Sequence, residues 1–171
     1  MKKLLPLALM LAPTFVFAHD ADDSIVHWTR IVGVITAPNV DNPVAGISAG
    51  TLPWTTRQGR AHVNLATGEA SFDVEGLVLI GRNATGTPGP INRVTGTLVC
   101  NPGTTVQAVR NSAEVELSPR GNAHFHGEIH GIPATCSDPL FLVRIGPSFP
   151  SPGAVGRWLA TGADRSVGDD G

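Results

Sequence analysis

The most regular stretch of the chain alternates apolar and polar residues with the period of a β-strand. From Arg60 to Val74, apolar side chains occupy every second position on either side of an Ala-Thr-Gly turn. Such alternation places the apolar residues on one face of each strand and the polar residues on the other. We therefore predict a β-hairpin here, with one buried and one wet face.

Shorter apolar runs predict further strands along the chain. Residues 77–80 are apolar throughout and lie between two glycines, which is typical of a central strand buried on both faces. A second hairpin is predicted over residues 113–129, around a Ser-Pro-Arg-Gly-Asn turn, with Ala113 pointing inward. The other predicted strands are residues 25–35, 94–100, 104–109, 140–145 and 158–160.

The composition favours an all-β fold. Gly and Pro account for 20 and 14 of the 171 residues, well above the combined share of about 12% in typical proteins. No window of a dozen residues keeps a helical period free of both. Many short strands in a chain of this size predict an antiparallel β-sandwich of immunoglobulin-like or jelly-roll type. The true antibody pattern is excluded, because a chain without Tyr cannot form the tyrosine corner.

The N-terminus has the build of a secretory signal peptide. Two lysines precede an uncharged apolar stretch that is too short to span a bilayer, and Val16 and Ala18 suit cleavage after Ala18. The alternative is an N-terminal membrane anchor. After cleavage we expect a secreted or periplasmic protein with no integral membrane segment. The predicted organisation is a signal peptide at 1–18, a single β-sandwich domain at 19–163 and a flexible acidic tail at 164–171.

The charge balance bears on the choice of partner. Loss of Lys2 and Lys3 with the signal changes the formal charge from −2 to −4, with His counted as neutral. A nucleic-acid-binding surface needs basic residues that neutralise phosphates. Since no basic run stands out, we expect no nucleic-acid partner.

The two cysteines of the chain are Cys100 and Cys136. An even number of cysteines in an exported chain predicts a disulfide. The alternative is a pair of buried free thiols. A metal site at these residues is disfavoured, because neither has a Cys-x-x-Cys partner.

Three of the six histidines cluster in one predicted strand. His124, His126, Glu128 and His130 lie two residues apart and would share one face. Imidazoles at this spacing can converge on zinc or copper, so the segment is a candidate metal site. The alternative is that the apolar residues between them face the core, and the even-numbered residues simply face water.

His19 would begin the mature chain, where its α-amino group and imidazole could chelate copper together. This resembles the histidine brace of lytic polysaccharide monooxygenases and the N-terminal copper site of small periplasmic copper carriers, which are β-sandwiches. The resemblance implies copper as a cofactor and a third nitrogen from another His. The lack of Tyr and the few aromatic residues argue against the oxygenase. The alternative is that His19 merely lies at a frayed, acidic start of the chain.

The C-terminal half resembles small exported bacterial all-β proteins with no assigned function. The residues that carry this resemblance are 98–100, Cys136, 141–145 and 156–162. It implies the disulfide and a closing strand, but no activity. No Gly-x-Ser-x-Gly or phosphate-binding motif is present, so a hydrolase is a weaker hypothesis. We expect an exported, non-enzymatic structural or binding module of unknown ligand; the alternative is a copper- or zinc-binding protein.

Overall fold

A computed structural model describes residues 24–37, 40–81, 83–150 and 152–168. The predicted signal peptide, its cleavage site and His19 lie outside the described residues. No helix within the described ranges is long and apolar enough to cross a membrane. The strands are β1 (Ile25–Gly33), β2 (Trp54–Thr55), β3 (Gln58–Asn64), β4 (Glu69–Glu75), β5 (Val78–Leu79), β6 (Arg93–Cys100), β7 (Ala108–Glu116), β8 (Ala123–Glu128), β9 (Leu140–Ile145) and β10 (Trp158–Val167).

Eight of these strands form one antiparallel sheet in the order β7-β6-β9-β10-β1-β3-β4-β8, and β2 pairs with β5 in a small second sheet. The large sheet curls until its edge strands β7 and β8 lie side by side, so that it nearly closes into a barrel. The predicted all-β antiparallel fold with one disulfide is confirmed. The two layers that face each other across the core are opposite walls of this one eight-stranded sheet.

Aromatic side chains from opposite walls meet in the core. Phe72 of β4 lies 5.7 Å, between ring centroids, from Phe141 of β9 and the same distance from Phe125 of β8. Trp28 of β1 contacts Phe141 at 5.5 Å. A Cβ atom at Gly96 would lie 2.9 Å from ring atoms of both Phe72 and Phe141. Only glycine therefore fits at this point of β6, beside rings from both walls.

The first predicted hairpin is confirmed as β3 and β4, which pair from Gln58–Glu75 to Val63–Ala70. The side chain of Asn64 accepts hydrogen bonds from the N–H groups of Ala66 and Thr67 and so closes the turn. Gly68 follows with a φ of 84°, a conformation that favours glycine. Local turn chemistry and alternation act together here, which explains why the sequence predicts this unit correctly.

The second predicted hairpin is wrong. β7 pairs with β6 and β8 pairs with β4, so these consecutive strands lie at opposite edges of the large sheet. One bond crosses the seam between them: the Arg110 guanidinium donates to the Gly131 carbonyl beyond β8. Alternation shows which side of a strand is buried, but it does not show which strand lies next to it.

A β-bulge in β7 also reverses the expected direction of Ala113. Thr95 faces Glu114 and Thr97 faces Asn111, so two residues of β7 oppose Gly96 alone. The extra residue buries Ser112 and exposes Ala113. The Ser112 hydroxyl accepts a hydrogen bond of 3.0 Å from the Gly96 N–H, so the buried polar group is paired.

Two further expectations need correction. Residues 77–80 do not form a central strand, because only Val78 and Leu79 are paired, with the short strand β2. The flexible acidic tail does not begin at residue 164, because β10 continues to Val167 and pairs with β1 as far as Val26. Polar residues on the outward side of a paired strand resemble a solvated tail in the sequence.

The predicted disulfide joins Cys100, the last residue of β6, to Cys136 in the connection between β8 and β9. Their α-carbons are 4.6 Å apart, and 36 residues separate them in sequence. The disulfide is confirmed, and the alternative of two free thiols is excluded. The bond is compatible with an oxidising location outside the cytoplasm.

Phe125→Ala should lower the free energy of unfolding by about 3 kcal/mol or more, because it removes a buried ring that stacks on Phe72 and leaves a cavity. His126→Ala, on the outward side of the same strand, should change it by less than about 0.5 kcal/mol. Urea unfolding measures both values. Equal losses in the two variants would contradict this assignment of inward and outward faces.

Candidate functional site

The four predicted metal-ligand candidates of the 124–130 segment all point outward. His124, His126, Glu128 and His130 are exposed, whereas the apolar residues between them face the core. The residues that face inward are Ala123, Phe125 and Ile129. The inferred strand register is therefore correct. A shift by one residue would bury imidazoles and a carboxylate without partners, at a high desolvation cost.

Two of these histidines already have acidic partners. The Nδ1 atom of His124 lies 2.5 Å from Oδ1 of Asp73, which is its register partner on β4. The Nδ1 atom of His130 lies 3.4 Å from Oε2 of Glu128. The imidazole of His124 is 68% exposed and that of His130 is 85% exposed, so both pairs are largely solvated. Such pairs contribute little to stability.

The structure does not bring these residues together as one metal centre. Within the described ranges, no group of three or more His, Cys, Asp or Glu side chains is arranged to hold a metal ion. His19 lies outside those ranges, so the copper brace at the mature N-terminus stays a prediction. His124 and His126 share the outward side of β8, and a metal site at these residues stays a prediction.

A second pair of histidines, which sequence reasoning missed, lies on β1 and β3. His27 and His62 are direct partners in the antiparallel pairing of these strands, and their ring centroids are 5.9 Å apart. The Nε2 atom of His27 is buried and has no hydrogen-bond partner. Thirty-four residues separate the two histidines in the sequence. Only the register of β1 against β3 places them together.

The surroundings of His62 control its protonation. Its Nδ1 atom is hydrogen-bonded to the Ser71 hydroxyl at 3.0 Å. Partial burial lowers the pKa of His62 below its ordinary value, and the charge of a protonated His27 lowers this pKa further. Glu69 acts in the opposite direction, and His126 and Arg60 each add a lowering effect. The result is an imidazole that stays neutral at lower pH than a solvated one.

The pairings across the sheet place these histidines in one row. Ser166 of β10, His27 of β1, His62 of β3, Ser71 of β4 and His126 of β8 are successive register partners. Four of the five described histidines, His27, His62, His124 and His126, lie on this side of the barrel. We call this surface the histidine face; it comprises His27, Arg60, His62, Glu69, Ser71, Asp73, His124, His126 and Glu128.

A shallow hollow opens on the histidine face beside β1 and β3. Its volume is about 230 Å³. Arg60 at its rim lies 3.5 Å from the carboxylate of Asp73, which also accepts from His124. The lining residues are His27, Trp28, Thr29, Arg60, Ala61, His62 and Ser71. The face therefore offers imidazole nitrogens, hydroxyls and both signs of charge on a rigid sheet.

The contact between Ser71 and His62 has the residue types of a nucleophile and its general base. A serine nucleophile also needs hydrogen-bond donors directed at the oxyanion, which are commonly backbone N–H groups. Ser71 lies in the middle of β4, where both neighbouring strands pair with it. The backbone N–H groups there already bond to the neighbouring strands, so they cannot form an oxyanion hole. The Ser71–His62 contact therefore suits binding better than acyl transfer.

Comparison with protein-family models, with curated proteins and with solved structures finds no match for this chain. The resemblance of the C-terminal half to small exported bacterial β proteins therefore stays a prediction.

The pKa shift of His62 predicts a pH-dependent stability. An unfolded chain protonates this imidazole near pH 6.5, whereas the folded protein keeps it neutral to lower pH. The free energy of unfolding should therefore fall as the pH decreases below about 6.5, because protons favour the unfolded state. His62→Gln removes this effect, so chemical denaturation between about pH 7 and pH 5 should show a shallower fall.

His130→Gln is the matched control, because it removes an exposed imidazole and keeps His62. It should retain the wild-type slope. A wild-type stability that rises as the pH decreases through this range would refute the assignment.

Proposed function

We propose that this chain is exported from the cytoplasm. Outside the cytoplasm it acts as a non-enzymatic module that binds its partner through the histidine face. The observation that carries the proposal is the concentration of four of the five described histidines, with Asp73, Glu69 and Arg60, on one outward surface. The disulfide supports the location, because such bonds persist outside the reducing cytoplasm. The antiparallel sheet supports binding, because it holds these side chains at fixed spacings.

Export is tested on protein recovered from the periplasm or medium of an expressing cell. Mass spectrometry should give a chain that begins at His19 and carries an intact disulfide. A chain that retains Met1 in the exported fraction would contradict cleavage after Ala18. Retention of all the protein in the cytoplasm would contradict the proposal as a whole.

The binding surface is tested by comparison with a deletion strain of the native host. A variant with glutamine at His27, His62, His124 and His126 should reproduce the deletion phenotype while it is exported and folded normally. The control carries Arg93→Gln and Glu116→Gln, two exposed positions on β6 and β7. It should behave as wild type. Normal behaviour of the histidine variant, or loss in both variants, would exclude this face as the functional surface.

Copper or zinc binding is the second candidate function, with His124, His126, Glu128 and His130 as ligands, and His19 as a separate ligand at the mature N-terminus. It is favoured by the exposure of His124 and His126 on the same side of β8. A bound ion would have to replace the contacts of His124 with Asp73 and of His130 with Glu128.

This candidate predicts that Zn²⁺ or Cu²⁺ raises the melting temperature of the wild-type protein but not that of the His124→Ala/His126→Ala variant. A form with residues added before His19 separates the contributions, because an extended N-terminus blocks the α-amino ligand only. If the metal-induced shift survives in the double variant and disappears in the extended form, the ligand is His19 instead.

A further inference from the structure

We propose that His27 and His62 form a two-imidazole site for a divalent transition-metal ion between β1 and β3, separate from the His124/His126 segment. The two residues are direct register partners, and their ring centroids are 5.9 Å apart. Imidazole is a ligand that zinc, copper and nickel prefer. Both cysteines of the chain are in the disulfide, so no thiolate competes for the metal.

One nitrogen on each ring is available to a metal. The Nδ1 atom of His62 is hydrogen-bonded to Ser71, which leaves its Nε2 atom as the ligand. Such a second bond orients the ring, as partners of metal-binding histidines commonly do. The Nε2 atom of His27 is buried and has no partner. A buried polar nitrogen without a hydrogen bond is costly, and a metal ion would satisfy it.

The sheet holds the two rings in place before any metal arrives. Opposite residues of an antiparallel pair have Cβ atoms about 4.5–5.5 Å apart. The next residues along each strand, Trp28 and Ala61, are buried in the core and are also register partners. The outward direction of His27 and His62 is thus fixed by the packing beneath them. Little conformational entropy remains to be lost on binding.

The charges around the pair determine how strongly it binds. Arg60 lines the same hollow, and Asp73 lies 3.5 Å from its guanidinium and partly offsets its charge. Glu69 favours positive charge at His62, whereas His126 and Arg60 oppose it. Water must complete the coordination, so the ion should exchange readily.

This site is distinct from the second candidate function. His126 is separated from His62 by the whole width of β4, because both are register partners of Ser71. One ion cannot use the His27 and His62 rings together with His124. The proposal therefore depends neither on metal binding by His124 and His126 nor on export. It can be wrong even if both of those proposals are correct.

The experiment is a Zn²⁺ titration of the mature full-length protein, read by imidazole ¹⁵N NMR and by thermal unfolding. Zn²⁺ should shift the ring nitrogens of His27 and His62 at one equivalent. At a Zn²⁺ concentration about 100-fold above the dissociation constant, the melting temperature should rise by about 5–10 °C. His27→Gln and His62→Gln should each abolish this rise, measured against the metal-free melting temperature of the same variant.

The matched controls are His130→Gln and the His124→Ala/His126→Ala variant, which should keep the rise. If the Zn²⁺-induced rise in melting temperature is lost only in the double variant, the metal binds on β8 and the proposal is overturned. A rise that survives in His27→Gln, or the absence of any change in the two ring spectra, would overturn it as well. The NMR readout on the wild-type protein keeps the test decisive even if a glutamine variant fails to fold.

Discussion

The structure depends on the packing of Phe72 and Phe141 across the interior of the curled sheet. These rings come from strands on opposite walls and lie 5.7 Å apart, with Gly96 providing the space between the walls. Phe125 and Trp28 extend the same aromatic cluster to β8 and β1. This contact holds opposite walls of the curled sheet together, and the strand order leaves β7 and β8 as the two edges that meet at the seam.

The chemistry of the outer surface follows from this core. Each inward aromatic or aliphatic residue on β1, β3, β4 and β8 forces its neighbours in sequence to face water. These neighbours include most of the titratable groups discussed above, and the register brings them within reach of one another. His27 with His62, His62 with Ser71, and Asp73 with His124 are all cross-strand partners. The histidine face is thus a consequence of how the apolar residues pack, and each imidazole is positioned by a buried residue beside it.

The sheet positions these groups without using them for stability. The exposed pairs on the histidine face are solvated, and Nε2 of His27 has no partner. Elsewhere Ser112 bonds to Gly96, and the half-buried Arg144 donates to the carbonyls of Val155 and Gly156, whereas the buried hydroxyl of Thr95 on β6 also lacks a partner. The histidine face is therefore set apart by its concentration of imidazole and charged side chains, and not by unpaired polar atoms.

The sequence alone was sufficient for the all-β class, the hairpin of β3 and β4, the disulfide, and the outward direction of His124 and His126. Each depends on period-two alternation, local turn residues or the number of cysteines, which are local properties. The pairing of β8 with β4, the bulge opposite Gly96 and the full length of β10 were decided by tertiary structure. So was the meeting of His27 with His62. Neighbouring strands are selected by how the whole sheet curls around its aromatic core, and alternation along one strand holds no information about the strand beside it.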